Sequence, residues 1–201
     1  MRRLATALAA TLLAMPALAD PLPSLVPSHD VSGIYLFTNA RGPQTIAVEY
    51  SKSANVLRLT PQSGATAALY AGDAYILYDF NADDAKIILP QLQHYLEQPA
   101  LVTEMQAVEG DISNGNGEVT AGATETIAGQ DCTDYISTSA ASQGAMLCVT
   151  PDGLLLKFTA ANGDSAVAQS LSYDEVPLDD VELPPGDTLL PTPQSSGTAP
   201  P

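Results

Sequence analysis

Two cysteines, two histidines and a surplus of carboxylates are the residues of this chain that could do chemistry. Cys132 and Cys148 bracket a midpoint at Ala140, inside Ser139-Ala140-Ala141-Ser142. A hairpin loop belongs there, so the cysteines are expected to face each other directly across an antiparallel pair. Opposed Cα atoms in such a pair lie about 4.5 Å apart, within reach of a disulfide. The bond would stabilise the fold by about 3 kcal/mol in the chain-entropy model. A metal pair needs further ligands and a redox pair is usually spaced more closely, so a structural disulfide is the expectation. His29 lies in a proline-punctuated lead-in, and His94 in an expected short helix with Glu97 one turn on. Two histidines without a third or a free cysteine do not complete a zinc site. A Ser-His-Asp set can be drawn around His94, yet no serine stands in a G-x-S-x-G elbow. Asp111 to Glu118 has the outline of a calcium loop. Gly115, Asn116 and Gly122, however, stand where an EF-hand requires an oxygen ligand, a glycine and a glutamate. Pairs such as Asp83-Asp84 and Asp179-Asp180 carry little weight as glycosidase carboxylates in a chain with 23 acids. Asp79 is the one acid embedded in an apolar strand. The chain shows no catalytic, metal or cofactor signature, and a non-enzymatic role is expected.

The elements that position these residues begin with a leader. Arg2-Arg3, the apolar run from Leu4 to Met15 and Ala17-Leu18-Ala19 form a secretory signal with cleavage expected after Ala19. The run is too short for a membrane span, and no later stretch is long enough to be one. An exported, periplasmic protein follows. Without Arg2 and Arg3, the 23 acids face five bases, Arg41, Lys52, Arg58, Lys86 and Lys157. A field of that sign repels nucleic acid and anionic lipid and favours solubility.

Strand signals recur about every ten residues, at Val31–Thr38, Thr45–Ser51, Val56–Thr60, Thr66–Tyr70, Ala74–Phe80, Ala85–Leu89 and Val119–Ile127. Four more follow around the cysteines, at Asp131–Ser137, Ala145–Thr150, Leu154–Thr159 and Ala166–Tyr173. Thr150-Pro151-Asp152-Gly153-Leu154 is the clearest turn: Pro presets φ, Asp suits the second corner and Gly takes the positive φ. Pro90 stops the ladder. Leu92, Tyr95 and Leu96 then fall at i, i+3, i+4, which predicts a short helix over Gln91–Gln98, with a second over Leu101–Val108. Glu109–Glu118 reads as a surface loop. The expected organisation is a signal peptide at 1–19, a loose lead-in at 20–30, one β-rich domain at 31–187 and a disordered proline-rich tail at 188–201. The fold class is mainly β, an antiparallel curved sheet closing partly or wholly into a barrel, with a short helix.

Several stretches carry a resemblance. Tyr75-Ile76-Leu77-Tyr78-Asp79-Phe80, Cys-Thr-Asp-Tyr at 132–135, Cys-Val-Thr-Pro-Asp-Gly-Leu-Leu-Leu-Lys at 148–157 and Leu-Pro-Pro-Gly at 183–186 occur in this order. Together they resemble a family of small exported proteins of Gram-negative bacteria whose function is unknown. That family is similar in strand pattern to the periplasmic lipoprotein carriers. The resemblance covers residues 30–187 and implies an unclosed β-barrel with helices plugging its concave face.

Several strands are apolar on both faces, whereas strands solvated on one face alternate more strictly. Something must therefore cover the second face. The short helix near Leu92–Leu96 can cover part of it, with helix-on-sheet packing as one complete account; the other is that a lipid-like or acyl ligand shares the space, held by Tyr75, Leu77, Ile87, Leu89, Leu154, Leu156 and Phe158. The alternative is an envelope protein that engages a protein partner through its acidic surface and proline-rich tail.

Overall fold

A computed structural model describes residues 24–64, 73–103, 119–137 and 144–190. Among the described residues twelve strands form one sheet: β1 (Val31–Asn39), β2 (Gly42–Ser51), β3 (Val56–Pro61), β4 (Tyr75–Asp79), β5 (Asp84–Leu89), β6 (His94–Glu97), β7 (Val119–Ile127), β8 (Gln130–Ser137), β9 (Met146–Val149), β10 (Leu155–Thr159), β11 (Ser165–Ser172) and β12 (Thr188–Leu189). In space their order is β12-β6-β5-β4-β3-β2-β1-β11-β10-β9-β8-β7. The sheet is therefore two antiparallel meanders, β1 to β6 and β7 to β11, joined where β11 returns to lie on β1. It does not close, but it curves enough that β11 also touches β7.

Turn chemistry and burial explain why these segments pair in this register. Asn55 adopts φ 57°, a conformation Asn tolerates better than most residues, and its N–H closes the β2–β3 turn on the Ser51 carbonyl at 2.8 Å. In the β9–β10 turn the Gly153 N–H donates to the Thr150 carbonyl at 3.0 Å and Thr150 N–H to that of Leu154 at 2.9 Å. Asp79 caps the β4–β5 turn, its Oδ1 accepting from the Asn81 and Ala82 amides. An acid in an apolar strand is accounted for by that role.

The apolar side chains fall into three packed clusters. The largest unites Val31 and Tyr50 with both cysteines, Leu154, Leu156 and Ala168, with Leu57 and Phe80 against it. A second gathers Tyr75, Leu77 and Ile88 with Val56 and Tyr95. The third holds Tyr135, Leu147 and Val149 with Phe158 and, from the lead-in, Leu25.

The short helix expected over Gln91–Gln98 is a correction. Only a single 3-10 turn, Pro90–Leu92, is helical there, and His94–Glu97 is strand β6, paired with β5 through Ile87↔Leu96 and Ile88↔Tyr95. Four residues are too few for a 3.6-residue period to be told from a two-residue one. Pairing with the apolar β5 decides the matter. Residues 99–103 are helical, while the remainder of the helix expected at Leu101–Val108 lies outside the described residues, as do Thr66–Tyr70 and the loop Glu109–Glu118.

The other described helix is α1 (Leu178–Val181), which packs on β2 and β3. From there the chain continues to β12, where Thr188 and Leu189 pair in parallel with His94 and Tyr95. The domain limit expected at 187 thus falls immediately before a strand; residues 191–201 lie outside the described residues. Among the described residues no helix is long and apolar enough to cross a membrane.

Candidate functional site

The residues expected to line a ligand cavity are distributed over the protein's own core. Tyr75 and Leu77 belong to the second cluster, Leu154 and Leu156 to the first, and Phe158 packs against the third. Ile87 is buried on β5 and Leu89 half-buried at its end. The second face is covered in part by the chain itself. A strap running from Tyr173 through α1 to Leu190 crosses it, with Val176 and Val181 buried. Arg58 ties the strap down: its Nη1 donates to the Asp180 carbonyl at 2.9 Å while its guanidinium lies 4.0 Å over the Tyr75 ring. Asp30 accepts from the Val176 N–H at 2.9 Å.

Cys132 and Cys148 form a disulfide, with Cα atoms 5.4 Å apart. They are not directly opposed, however. Cys148 pairs with Asp134, two residues from Cys132, because the hairpin is centred on Ala141: Ser137 N–H donates to the Ala145 carbonyl at 2.9 Å. One residue of shift in the centre offsets the cysteines by two, and the twist of the strands brings that diagonal together. Glu125, the partner of Cys132 in β7, lies close to both sulfurs. With the sulfurs bonded to each other, no thiolate is offered to a metal there.

Beside the disulfide, Lys157 reaches from β10 to Glu125 and, at 3.5 Å, to Asp134. Burial by itself would lower the lysine's pKa. The hydrogen bond that Lys157 donates to Glu125 and the charges of Asp134 and Glu125 outweigh that and hold it above its ordinary value. The trio ties three strands of the second meander together.

A second cluster joins parts distant in sequence. His29 Nε2 lies 2.9 Å from Asp152, Ser28 Oγ 3.1 Å from His29 Nδ1, and the Tyr173 ring 4.8 Å from the imidazole. The Ser28 N–H also donates to the Asp152 carbonyl at 3.1 Å. What the arrangement does is clamp the lead-in onto the β9–β10 turn. Local sequence could not have signalled it, since nothing near His29 names Asp152 as its partner. His94 sits on β6, its Nδ1 2.8 Å from the Thr188 hydroxyl.

Two surface features remain. An open depression of ≈ 300 Å³ crosses β2, β1 and β11 over Gly33, lined by Ile34, Ala47, Val48, Ser170 and Leu171. Glycine is required at its floor, because a Cβ on Gly33 would meet the Ser170 carbonyl oxygen at 2.5 Å. At one end of the sheet, among the described residues, β7 runs as an edge strand of nine residues. It contains neither lysine nor proline, and its one irregularity is a register shift between Ala121 and Thr124.

Neither a protein-family model nor a curated protein matches the sequence. Solved structures share the fold. An uncharacterized conserved protein from Thermus thermophilus aligns with a TM-score of 0.55 at 8% identity, over 81% of this chain and 90% of that one. MucB, in the Pseudomonas aeruginosa MucA/MucB complex, aligns with a TM-score of 0.56 at 14% identity, over 79% of this chain and 56% of its own. A structure of MucB with MucA(peri) gives 0.54 at 13% identity, over 84% and 59%. The chain therefore spans less than two thirds of MucB's length, and at these identities what is shared is the fold.

Proposed function

We propose that this chain is an exported, non-enzymatic binding module of the cell envelope, and that it holds a segment of another protein. The observation that carries this reading is where the apolar residues go. Of those expected to line a ligand cavity, Tyr75, Leu77, Leu154, Leu156 and Phe158 are spent on three packed clusters and Ile87 is buried on β5, while among the described residues β7 stands as an edge at the rim of the sheet. Edges of that kind accept a further strand. The complex of MucB with MucA, on a similar fold, lends support. Export is supported by the leader pattern and the disulfide, which persists in oxidising compartments.

The open depression over Gly33 favours a second reading, an acyl chain lying between Ile34, Ala47 and Leu171, since ≈ 300 Å³ is at the lower end of ligand-site volumes. Native mass spectrometry of the mature protein isolated from the periplasm separates the two. The first reading expects a stoichiometric polypeptide adduct and an N-terminus at Asp20. A lipid-sized adduct would move the assignment to the second reading, and an adduct-free protein that retains neither class would overturn both.

A further inference from the structure

Resting on the reading of the chain as a protein-binding module, we infer that the C-terminal strap is a docking face for a cationic, leucine-bearing segment of the partner. The strap is fixed, not loose. Besides the Arg58 and Asp30 contacts, the Thr188 N–H donates to the Gln93 carbonyl at 3.1 Å and the Leu190 N–H to that of Tyr95 at 2.9 Å. Its inward residues, Val176 and Val181, are buried, and its outward ones are of two kinds. Leu178, Leu183 and Leu189 are 45%, 38% and 47% exposed, with Leu92 at 59% beside the strand that the strap joins. Among the described residues seven large apolar side chains are exposed, and these four make up most of them. Apolar groups concentrated in this way mark a contact surface more often than scattered ones do.

Asp179 and Glu182 stand between the leucines and Asp174 and Glu175 just before Leu178, all exposed. No lysine or arginine occurs after Lys157, so nothing within the strap neutralises them. Arg58 is already engaged with Glu49, Tyr75 and the Asp180 carbonyl. A partner that covers the leucines must meet this field. An anionic membrane or a nucleic acid would be repelled, and an acidic protein equally so. A segment presenting lysine or arginine between leucine-like residues satisfies both the apolar and the electrostatic demand.

The test uses the mature, disulfide-bonded chain and two synthetic peptides, one alternating lysine with leucine and one alternating lysine with serine, titrated calorimetrically at low and high salt. Saturable binding of the first is expected, at least about tenfold tighter than of the second. It should weaken by about tenfold in Leu178→Ser/Leu183→Ser, and again in Asp179→Asn/Glu182→Gln. Neutralising Asp131 and Asp164, which lie off the strap, should leave it unchanged. All are exposed or turn positions, and near-UV circular dichroism checks that the fold is intact. Equal binding of the two peptides, indifference to the strap variants, or binding to anionic vesicles in place of the peptide would each overturn the inference. Failure here is distinct from failure of the binding-module reading: a native partner retained by both strap variants sinks only the docking face.

Discussion

Gly153 sits at φ +94° in the β9–β10 turn, and a Cβ there would meet the Ser24 carbonyl oxygen at 2.3 Å and that of Val26 at 2.9 Å. Gly163, in the β10–β11 turn, has almost the same φ, +90°, with nothing within 4 Å of its would-be Cβ. Alanine at either position incurs the backbone penalty of a left-handed L-residue, about 1–2 kcal/mol. Alanine at 153 must also lift the lead-in. That forfeits the Ser28–Asp152 backbone hydrogen bond, about 1 kcal/mol. It also loosens the packing of Leu25 and Val26, which touch two of the three clusters, at a further cost of about 1–2 kcal/mol. The difference between the two variants, about 2–3 kcal/mol, isolates the seat of the lead-in from the strain of the turn. For a domain of this size that is about 4–12 °C in Tm beyond the loss in Gly163→Ala. Thermal unfolding of the oxidised proteins followed by circular dichroism measures it, with limited proteolysis reporting cleavage near Ser28 in Gly153→Ala alone. Equal melting temperatures for the two variants would refute the claim that the lead-in is seated on this turn.

Truncation tests the end of the strap. A chain ending at Leu190 should melt with the full mature protein, whereas one ending at Gly186 loses two backbone hydrogen bonds, to Gln93 and Tyr95, and about 2 kcal/mol in urea titration. The paired substitution Cys132→Ala/Cys148→Ala should cost about 3 kcal/mol, and mass spectrometry of the unreduced, alkylated wild type should show no free thiol. Burial, reinforced by Tyr173, holds the Tyr35 hydroxyl well above its ordinary pKa. Its neutral form is thus favoured by folding; that stability is whole below the unfolded value of about 10 and drains away as pH rises above it. Tyr35→Phe should flatten the fall in stability above pH 10. Near pH 8 it should cost about 1 kcal/mol for the lost bond to the Leu155 carbonyl. An unchanged alkaline slope would show that Tyr35 does not titrate with unfolding.

What the sequence made legible was local. Thr150-Pro151-Asp152-Gly153 announced its hairpin because each residue suits one corner, and Val119–Ile127 ends where its β-branched run ends. The disulfide partners followed from composition, but their diagonal placement did not, since the hairpin centre is displaced by one residue and only the ladder reveals it. Leu92, Tyr95 and Leu96 looked helical because a stretch of that length fits either period. β12 was invisible, as two residues in a parallel pair have no pattern of their own. The expected cover for the apolar second face was a helix near Leu92–Leu96 with a ligand, whereas the described chain lays its strap across part of that face. That the cover is the strap could not be read from Leu178 and Val181 without knowing which strands they reach.

The pairing of β1 with β11 sets a timetable for the chain. β2 follows β1 after only Ala40-Arg41, whereas Ser32 waits for Ser172, on the far side of both meanders. As the polypeptide emerges N-terminus first, β1 to β6 can assemble from neighbours alone, and so can β7 to β11. Between those events β1 carries one unpaired row of amides, the condition in which a strand recruits foreign chains. Closing that seam joins residues of large sequence separation and is the slow kind of step. The last contact to form is thus the middle of the finished sheet, and the newly made molecule is most vulnerable at the line that later lies deepest between its two halves.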